Sequence, residues 1–293
     1  MERAENTFDN FIREFQRYYG ECPPDKGDEC TDFVKVSLKD GTQMYGRFRN
    51  GKLHGYGKIK FHSGVRVEGE FADHEIVRGT LTDQDGSKYE GDFRNNKYEG
   101  HGILTFTDGR KYKGQFVAGR FQGHGILTYP DGGRYEGGFH EGRLDGQGIM
   151  DYADGSRYAG QFQLGKVEGR GVLVSADGRR YEGELHEGRF EGQGILTYSD
   201  GSRYDGHFYG GHFDGRGILS YTDGRRYEGN FVKGRFEGQG ILIYNSGEVY
   251  EGDFKRGRRE GKGTLILKNG TRCEGEWKND EFLFGSITKK KSS

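Results

Sequence analysis

The amino-acid sequence predicts an all-β protein, an elongated, twisted, single-layer antiparallel β-meander preceded by a short N-terminal amphipathic α-helix. Three observations predict this fold. Glycine accounts for 55 of the 293 residues and recurs with a regular period, Asp-Gly turn signals separate short alternating segments, and only 31% of residues are hydrophobic although 14% are aromatic. A compact enzyme domain usually has close to half apolar residues, so this chain cannot fill a thick core.

One glycine marks each repeat unit. Neighbouring marker glycines are 23 residues apart, except for one interval of 22. Tyr stands two residues before the marker glycine in eight of eleven units, and Phe stands two residues after it in nine. A constant period of this length is typical of a repeat protein, whose units are stabilised by their neighbours. The marker glycines are Gly46, Gly69, Gly91, Gly114, Gly137, Gly160, Gly183, Gly206, Gly229, Gly252 and Gly275.

Each unit carries signals for two strands and two turns. An Asp-Gly pair between alternating segments, such as Asp108-Gly109, predicts a type I′ hairpin turn with positive φ at both residues. We therefore expect strands at 102–107 and 110–116, and a second turn near Gly119. Alternation places the Tyr, the marker glycine and the Phe on one face, where rings can lie on bare glycine backbone.

The unit at Gly69 departs from this pattern. It is one residue short, and it reads Val77-Arg78-Gly79 where other units have a Gly-x-Gly pair. An altered residue count in one strand of a pair is accommodated by a bulge. We therefore expect a bulge or a bend in this unit.

Residues 135–148, which read YEGGFHEGRLDGQG, resemble the MORN repeat (membrane occupation and recognition nexus). The resemblance covers residues 33 to about 280, in eleven units. It implies an elongated, antiparallel, single-sheet β-meander. Proteins with this repeat include scaffolds and adaptors, ciliary and cytoskeletal components, and junctional proteins proposed to bind phospholipid.

The pattern divides the chain into an N-terminal helix and linker at 1–32, a repeat-sheet domain at 33–285 and a basic tail at 286–293. Apolar residues in the first segment have the i, i+3, i+4, i+7 spacing of an amphipathic helix. This helix either caps the first repeats or docks a partner, and the sequence leaves both roles open. Its apolar residues are Phe8, Phe11, Ile12, Phe15 and Tyr19.

Composition argues against several classes of protein. The net charge of −1 provides no overall attraction to nucleic acid, so we expect no nucleic-acid partner. The polar N-terminus lacks a signal-peptide pattern, and no apolar run is long enough for a membrane-spanning helix. The three cysteines are too few for a disulfide framework. We expect a cytoplasmic protein, and the resemblance suggests a cytoskeletal or ciliary location.

Catalytic and metal-binding motifs are not found in the sequence. Its glutamates recur in phase with the repeat, as at Glu136 and Glu182, whereas a single active site would break the period. The nine histidines are scattered, which is not the spacing of a metal site. We therefore expect no enzymatic activity, no cofactor and no metal.

The aromatic rows are the candidate functional residues. They either form the core of the sheet or line a groove with charged margins that binds a helix or an extended peptide of a partner. We expect a protein scaffold; binding of anionic phospholipid is one alternative, a regulatory subunit of an enzyme is another, and a homodimer is left open. The predicted groove residues are Tyr112, Tyr135, Tyr158, Tyr181, Tyr204, Tyr227, Tyr250, Phe116, Phe139, Phe208 and Phe231.

Overall fold

The computed structural model describes residues 29–49 and 51–289, and it divides the chain into two compact units, the first ending at Ala153 and the second beginning at Asp154. Every regular element in the described part is a β-strand. The antiparallel meander predicted from the sequence is therefore confirmed within each unit. The predicted helix at 5–19 and the end of the basic tail, 290–293, lie outside the described residues.

The first unit contains eleven strands, each paired antiparallel with the next one along the chain. They are β1 (Glu29–Ser37), β2 (Gln43–Arg49), β3 (Lys52–Lys60), β4 (Arg66–Ala72), β5 (Glu75–Thr82), β6 (Lys88–Arg94), β7 (Lys97–Thr105), β8 (Lys111–Val117), β9 (Arg120–Thr128), β10 (Arg134–His140) and β11 (Arg143–Asp151).

The second unit contains twelve strands with the same antiparallel pairing. Its last strand ends at Thr288, so the strands extend beyond the predicted limits of 33 and 285 at both ends. They are β12 (Arg157–Gln163), β13 (Lys166–Val174), β14 (Arg180–His186), β15 (Arg189–Thr197), β16 (Arg203–Tyr209), β17 (His212–Ser220), β18 (Arg226–Val232), β19 (Arg235–Ile243), β20 (Val249–Lys255), β21 (Arg258–Ile266), β22 (Arg272–Lys278) and β23 (Glu281–Thr288).

The Asp-Gly turns differ from the predicted type I′ geometry. In the turn after β9, Gly132 has φ +94°, whereas Asp131 is not among the residues with positive φ. The N–H of Gly132 donates to the carbonyl of Tyr129 at 3.1 Å, and the Asp131 carboxylate accepts from the N–H of Gly133 at 2.9 Å. The Asp131 side chain thus stabilises a longer turn, in which Gly132 is the fourth residue counted from Tyr129.

Type I′ geometry occurs instead in the other turn of each 23-residue repeat. The two-residue loop between β10 and β11 has φ +47° at Glu141 and +80° at Gly142. The loop between β12 and β13 has φ +51° at Leu164 and +86° at Gly165. Two-residue loops adopt this geometry because its twist matches that of the flanking strands.

A bulge inside most hairpins joins a seven-residue strand to a nine-residue strand, whereas β5 and β23 have eight residues. In β16 and β17, Gly206 pairs with Gly217 and Phe208 with Phe213, so three residues of β17 face one residue of β16. The short repeat at Gly69 has the predicted bulge in a smaller form, since only Val77 of β5 has no partner in β4. The bulge is therefore a feature of every repeat, and the short repeat loses one residue from it.

Paired glycines make room for the tyrosine rings. In β8 and β9, Gly114 lies opposite Gly125, and the ring of Tyr112 covers both. A Cβ atom added to Gly125 would lie 2.5 Å from the Tyr112 hydroxyl oxygen. Real Cβ atoms do not approach other atoms this closely, so glycine is required wherever a ring lies flat on the sheet.

In most repeats the tyrosine ring is then enclosed by other rings. Tyr112 stacks on Phe121 of the neighbouring strand, with centroids 3.7 Å apart and an interplanar angle of 11°. Phe116 and Phe139 meet its edges at centroid distances of 5.1 and 5.0 Å. Stacked and edge-to-face contacts are the favourable arrangements for aromatic pairs. The core thus lies on one face of the sheet and is built from rings rather than from a second layer.

The tyrosine hydroxyl donates a hydrogen bond at the bulge. The Tyr112 hydroxyl donates to the carbonyl of Gln115 at 2.9 Å, next to the shift in register between Gly114 and Gln115. A buried carbonyl needs a partner, and here the side chain provides one. The same bond recurs from Tyr89, Tyr135, Tyr158, Tyr181, Tyr204, Tyr227 and Tyr250 to the residue three positions further on.

We expect Gly125→Ala to lower the free energy of unfolding by about 1–3 kcal/mol, because the added methyl group overlaps the Tyr112 ring. Gly133→Ala is the matched control. Its Cβ would meet the Asp131 carboxylate at 3.1 Å, and a small side-chain shift can relieve that contact. Urea denaturation followed by far-ultraviolet circular dichroism measures both variants, and equal destabilisation would contradict the ring-on-glycine packing.

Candidate functional site

The aromatic residues predicted to line a groove are buried. None is more than 3% exposed, because the tyrosine rings lie on glycine backbone and the phenylalanine rings meet their edges. Their prediction as an open groove is therefore wrong, and their interpretation as core describes the structure. The residues concerned are Tyr112, Tyr135, Tyr158, Tyr181, Tyr204, Tyr227, Tyr250, Phe116, Phe139, Phe208 and Phe231.

The second predicted set belongs to the N-terminal helix. Phe8, Phe11, Ile12, Phe15 and Tyr19 lie outside the described residues. Their role as a cap or as a dock stays a prediction.

The face opposite the rings, here called the outer face, carries a second regular row in the second unit. Each strand contributes one residue to it, and isoleucines alternate with carboxylates from strand to strand. The alternation follows from period 2, since the acid follows the tyrosine and the isoleucine precedes the buried leucine. We call this row the acid–isoleucine ladder; it consists of Ile195, Asp205, Ile218, Glu228, Ile241 and Glu251.

A shallow open trough of about 530 Å³ follows this ladder across β15 to β20. Its floor is the backbone of glycine pairs such as Gly206 with Gly217. One wall is the acid–isoleucine ladder from Asp205 to Glu251, and the other consists of Gln193, Arg216 and Gln239. Glycines that seat rings on one face thus leave a depression between two rows of side chains on the other.

Arginines neutralise part of the ladder. Asp205 forms an ion pair with Arg203 at 2.8 Å, and Glu228 forms one with Arg226 at 2.7 Å. Each pair joins residues two apart on the same strand, so the arginine extends the row of side chains sideways. Exposed pairs of this kind contribute little to stability, which leaves the carboxylates available to a competing cation.

The first unit carries a different surface on its outer face. Three exposed aromatic side chains, Phe33, Tyr45 and Tyr56, lie near two cations, and we call this group the basic–aromatic patch. Phe33 stacks with Tyr45 at a centroid distance of 5.5 Å. Arg47 lies 5.1 Å from the Phe33 centroid, and Lys58 completes the patch.

Glu68 borders the basic–aromatic patch and contacts two of its side chains. Lys58 forms an ion pair with it at 2.8 Å, and the Tyr56 hydroxyl donates to the same carboxylate. These hydrogen bonds from Lys58 and Tyr56 hold the pKa of Glu68 below its ordinary value. The two side chains are thereby oriented on the surface.

The sequence contains the signal for the acid–isoleucine ladder. Glutamates such as Glu182 and Glu228 recur in phase with the repeat, one residue after its tyrosine. Each Gly-Ile-Leu segment contains an isoleucine, such as Ile218 or Ile241, that alternation places on the opposite face of the strand from the following leucine. That alternation was sufficient to place an apolar row among the acids.

The described residues hold no group of three or more His, Cys, Asp or Glu side chains placed to bind a metal. Within the same residues, no helix has the length and hydropathy needed to cross a membrane. The outer face of these residues carries side chains at regular spacing.

A family model described as MORN repeat matches ten segments of the chain, at residues 45–66, 89–109, 112–134, 135–157, 158–179, 181–203, 204–225, 227–249, 250–272 and 273–282. The segments leave out the unit at 67–88, which contains the smaller bulge. No curated protein matches the chain significantly.

Several solved structures resemble the chain at low identity. The TCP10 domain of Danio rerio CPAP, in complex with a STIL peptide, has 15% identity over 76% of this chain and 94% of that one, with a TM-score of 0.35. The TCP domain of Drosophila melanogaster SAS-4, in complex with a proline-rich motif of Ana2, has 12% identity over 70% and 97%, with a TM-score of 0.30. Virginiamycin B lyase from Staphylococcus aureus has 9% identity over 84% of each chain, with a TM-score of 0.15. Similarities this low indicate nothing about a binding site.

High pH is expected to unfold the sheet. Burial raises the pKa of Tyr135 and of Tyr250 to about 12, whereas a tyrosine in the unfolded chain ionises near pH 10. Stability is therefore full below pH 10 and falls as the pH rises from about 10 through 12, because the unfolded state loses protons first. Absorbance at 295 nm should show a late ionisation phase that coincides with the loss of β circular dichroism. Complete ionisation near pH 10 with the circular dichroism unchanged would contradict this expectation.

Proposed function

Because the chain belongs to the MORN-repeat family, we propose that it is a non-enzymatic scaffold that binds a protein partner along the trough on the outer face of β15 to β20. The observation that carries the proposal is the acid–isoleucine ladder, which sets apolar and anionic side chains at regular intervals beside a glycine floor. The family suggests a cytoskeletal or ciliary assembly as the setting.

The spacing of the ladder favours an amphipathic helix as the bound segment. Ile218 and Ile241 lie two strands apart, which corresponds to about 9.6 Å at ordinary strand spacing. Seven residues of an α-helix rise about 10.5 Å. A helix lying along the trough can therefore place an apolar side chain against each isoleucine in every second turn.

The carboxylates of the ladder indicate which residues of the partner helix lie between its apolar positions. Asp205 and Glu228 flank Ile218 on its two neighbouring strands, and Glu228 and Glu251 flank Ile241. Lysine or arginine side chains half-way between the apolar positions of the helix would meet these acids. We therefore propose a partner helix with an apolar residue at every seventh position and basic residues between them.

The exposed apolar area of the trough is modest, since its isoleucines are only partly exposed. Burying the rest of a side chain contributes a fraction of the roughly 1.5–3 kcal/mol of a fully buried isoleucine. Affinity must come from several ladder positions acting together. A repeated surface suits a long partner segment better than a compact ligand.

Replacing the two isoleucines that line the trough tests the proposal. We expect Ile218→Lys with Ile241→Lys to reduce capture of the partner from cell extract at least about tenfold, because lysines fill the trough and repel basic residues. The matched control is Ile103→Lys with Ile126→Lys, at equivalent positions of the first unit, and it should retain capture. Circular dichroism checks that each variant is folded.

Equal capture by the wild type, the trough variant and the control variant would place the partner elsewhere. Loss of capture in both variants would show a general effect of added charge. Failure of the wild type to capture any protein specifically would contradict the scaffold proposal itself.

The basic–aromatic patch favours a second candidate function, binding of anionic phospholipid. Exposed aromatic rings beside cations are the combination found at membrane interfaces. The patch has few cations, and Lys58 is already paired with Glu68, so we rank this function below the scaffold.

Vesicle sedimentation separates the two functions. We expect the wild type to remain in the supernatant with vesicles of phosphatidylcholine and phosphatidylserine at about 0.15 M salt, where surface attraction is screened within about 8 Å. Salt-sensitive sedimentation that is lost in Tyr45→Ala with Tyr56→Ala would reverse the ranking. Tyr209→Ala, another exposed tyrosine, is the control.

A further inference from the structure

Strand β23 presents the most apolar exposed edge in the described part of the chain. Leu283, Phe284 and Ile287 are 52%, 66% and 61% exposed, and all three lie within one eight-residue strand. Among the described residues, β23 pairs with β22 and with no other strand of its unit. A strand edge with exposed apolar residues and unpaired backbone groups is a template for pairing with another strand.

The exposure of Ile287 results from a missing neighbour. Leu219 occupies the equivalent position in β17, where Tyr204 and Tyr227 flank it on the two adjacent strands, and it is only 9% exposed. Ile287 has Cys273 on one side and no described strand on the other. An added strand would therefore bury the apolar surface that an internal strand of the same kind buries.

We propose that β23 pairs antiparallel with β23 of a second copy of this chain, about a two-fold axis that passes through Gly285. This proposal concerns the oligomeric state and does not depend on the trough or its partner. Glycine lies opposite glycine in the existing pairs, as in Gly275 with Gly285. The dimer continues that column by placing the two Gly285 residues opposite each other.

The same register matches the remaining side chains. Leu283 is the extra residue of the bulge between β22 and β23 and has no partner in β22. Centring an antiparallel pair on Gly285 places Leu283 of one copy opposite Ile287 of the other, so that two exposed apolar residues cover each other. It also places Glu281 opposite Lys289 of the other copy, which joins opposite charges. Both relationships occur twice, because the two-fold axis makes the contact isologous.

Other registers lose this complementarity. A shift of the pair by two residues in one direction places Leu283 opposite Lys289, and a shift in the other direction places Glu281 opposite Ile287. A shift by one residue brings side chains from opposite faces together. The segment is thus self-complementary in one register, which favours a second copy over an unrelated strand.

The dimer is expected to dissociate on dilution. Pairing about five residues a side buries less than the roughly 1,200–2,000 Å² of a stable interface. Association should therefore be visible in the micromolar range and above.

Sedimentation velocity and light scattering of the full chain, from about 1 to about 500 µM, test the proposal. We expect a monomer–dimer equilibrium that Ile287→Lys shifts at least about tenfold toward monomer. Val232→Lys is the matched control, since Val232 is exposed on the internal strand β18, and it should leave the equilibrium unchanged. A monomer at every concentration, or a dimer insensitive to Ile287→Lys, would overturn the proposal.

A charge exchange tests the register without adding charge to the apolar surface. Glu281→Lys should weaken the dimer by placing like charges opposite each other, and combining it with Lys289→Glu should restore the wild-type equilibrium. Failure of the double variant to recover association would exclude this register. Hydrogen exchange of β23 in the wild type should slow as the dimer forms, and protection at monomeric concentrations would show that another segment of the same chain covers the edge.

Discussion

The structure depends on one contact, a tyrosine ring lying flat on a pair of glycines. Tyr112 over Gly114 and Gly125 is an example, with no room for a single carbon atom between ring and backbone. This contact explains why a chain with 31% hydrophobic residues folds without a second layer. The ring replaces that layer, and the bulge supplies a carbonyl that its hydroxyl satisfies.

This use of aromatic residues determines where function can be placed. Rings such as Tyr204 and Phe208 are buried in the core, so the proposed recognition surface is the outer face. There the period that builds the core also repeats acids and isoleucines at constant spacing. The trough is thus a by-product of the packing on the other face, and its length grows with the number of equal repeats.

The other two surfaces occur where the repeat is least regular. The tyrosine position is Met44 in the first hairpin and Cys273 in β22. Near the first of these, Tyr45 and Tyr56 are exposed on the outer face, and beside the second, β23 exposes apolar side chains at an edge. Regular repeats therefore present one extended surface, while irregular repeats present local ones that can differ in partner.

The sequence established the strands, their order and their alternation, because a 23-residue period with paired glycines places the rings on one face of successive hairpins. It did not determine the turn geometry: the Asp131 side chain supports a longer turn, and positive φ at both residues occurs at Glu141 and Gly142. The three-dimensional packing established that Tyr112 and Phe116 belong to the core, since their burial depends on rings from neighbouring strands that the sequence pattern does not show. It also decided that Ile287 is exposed, because exposure at an edge depends on a neighbour that is absent from the described sheet.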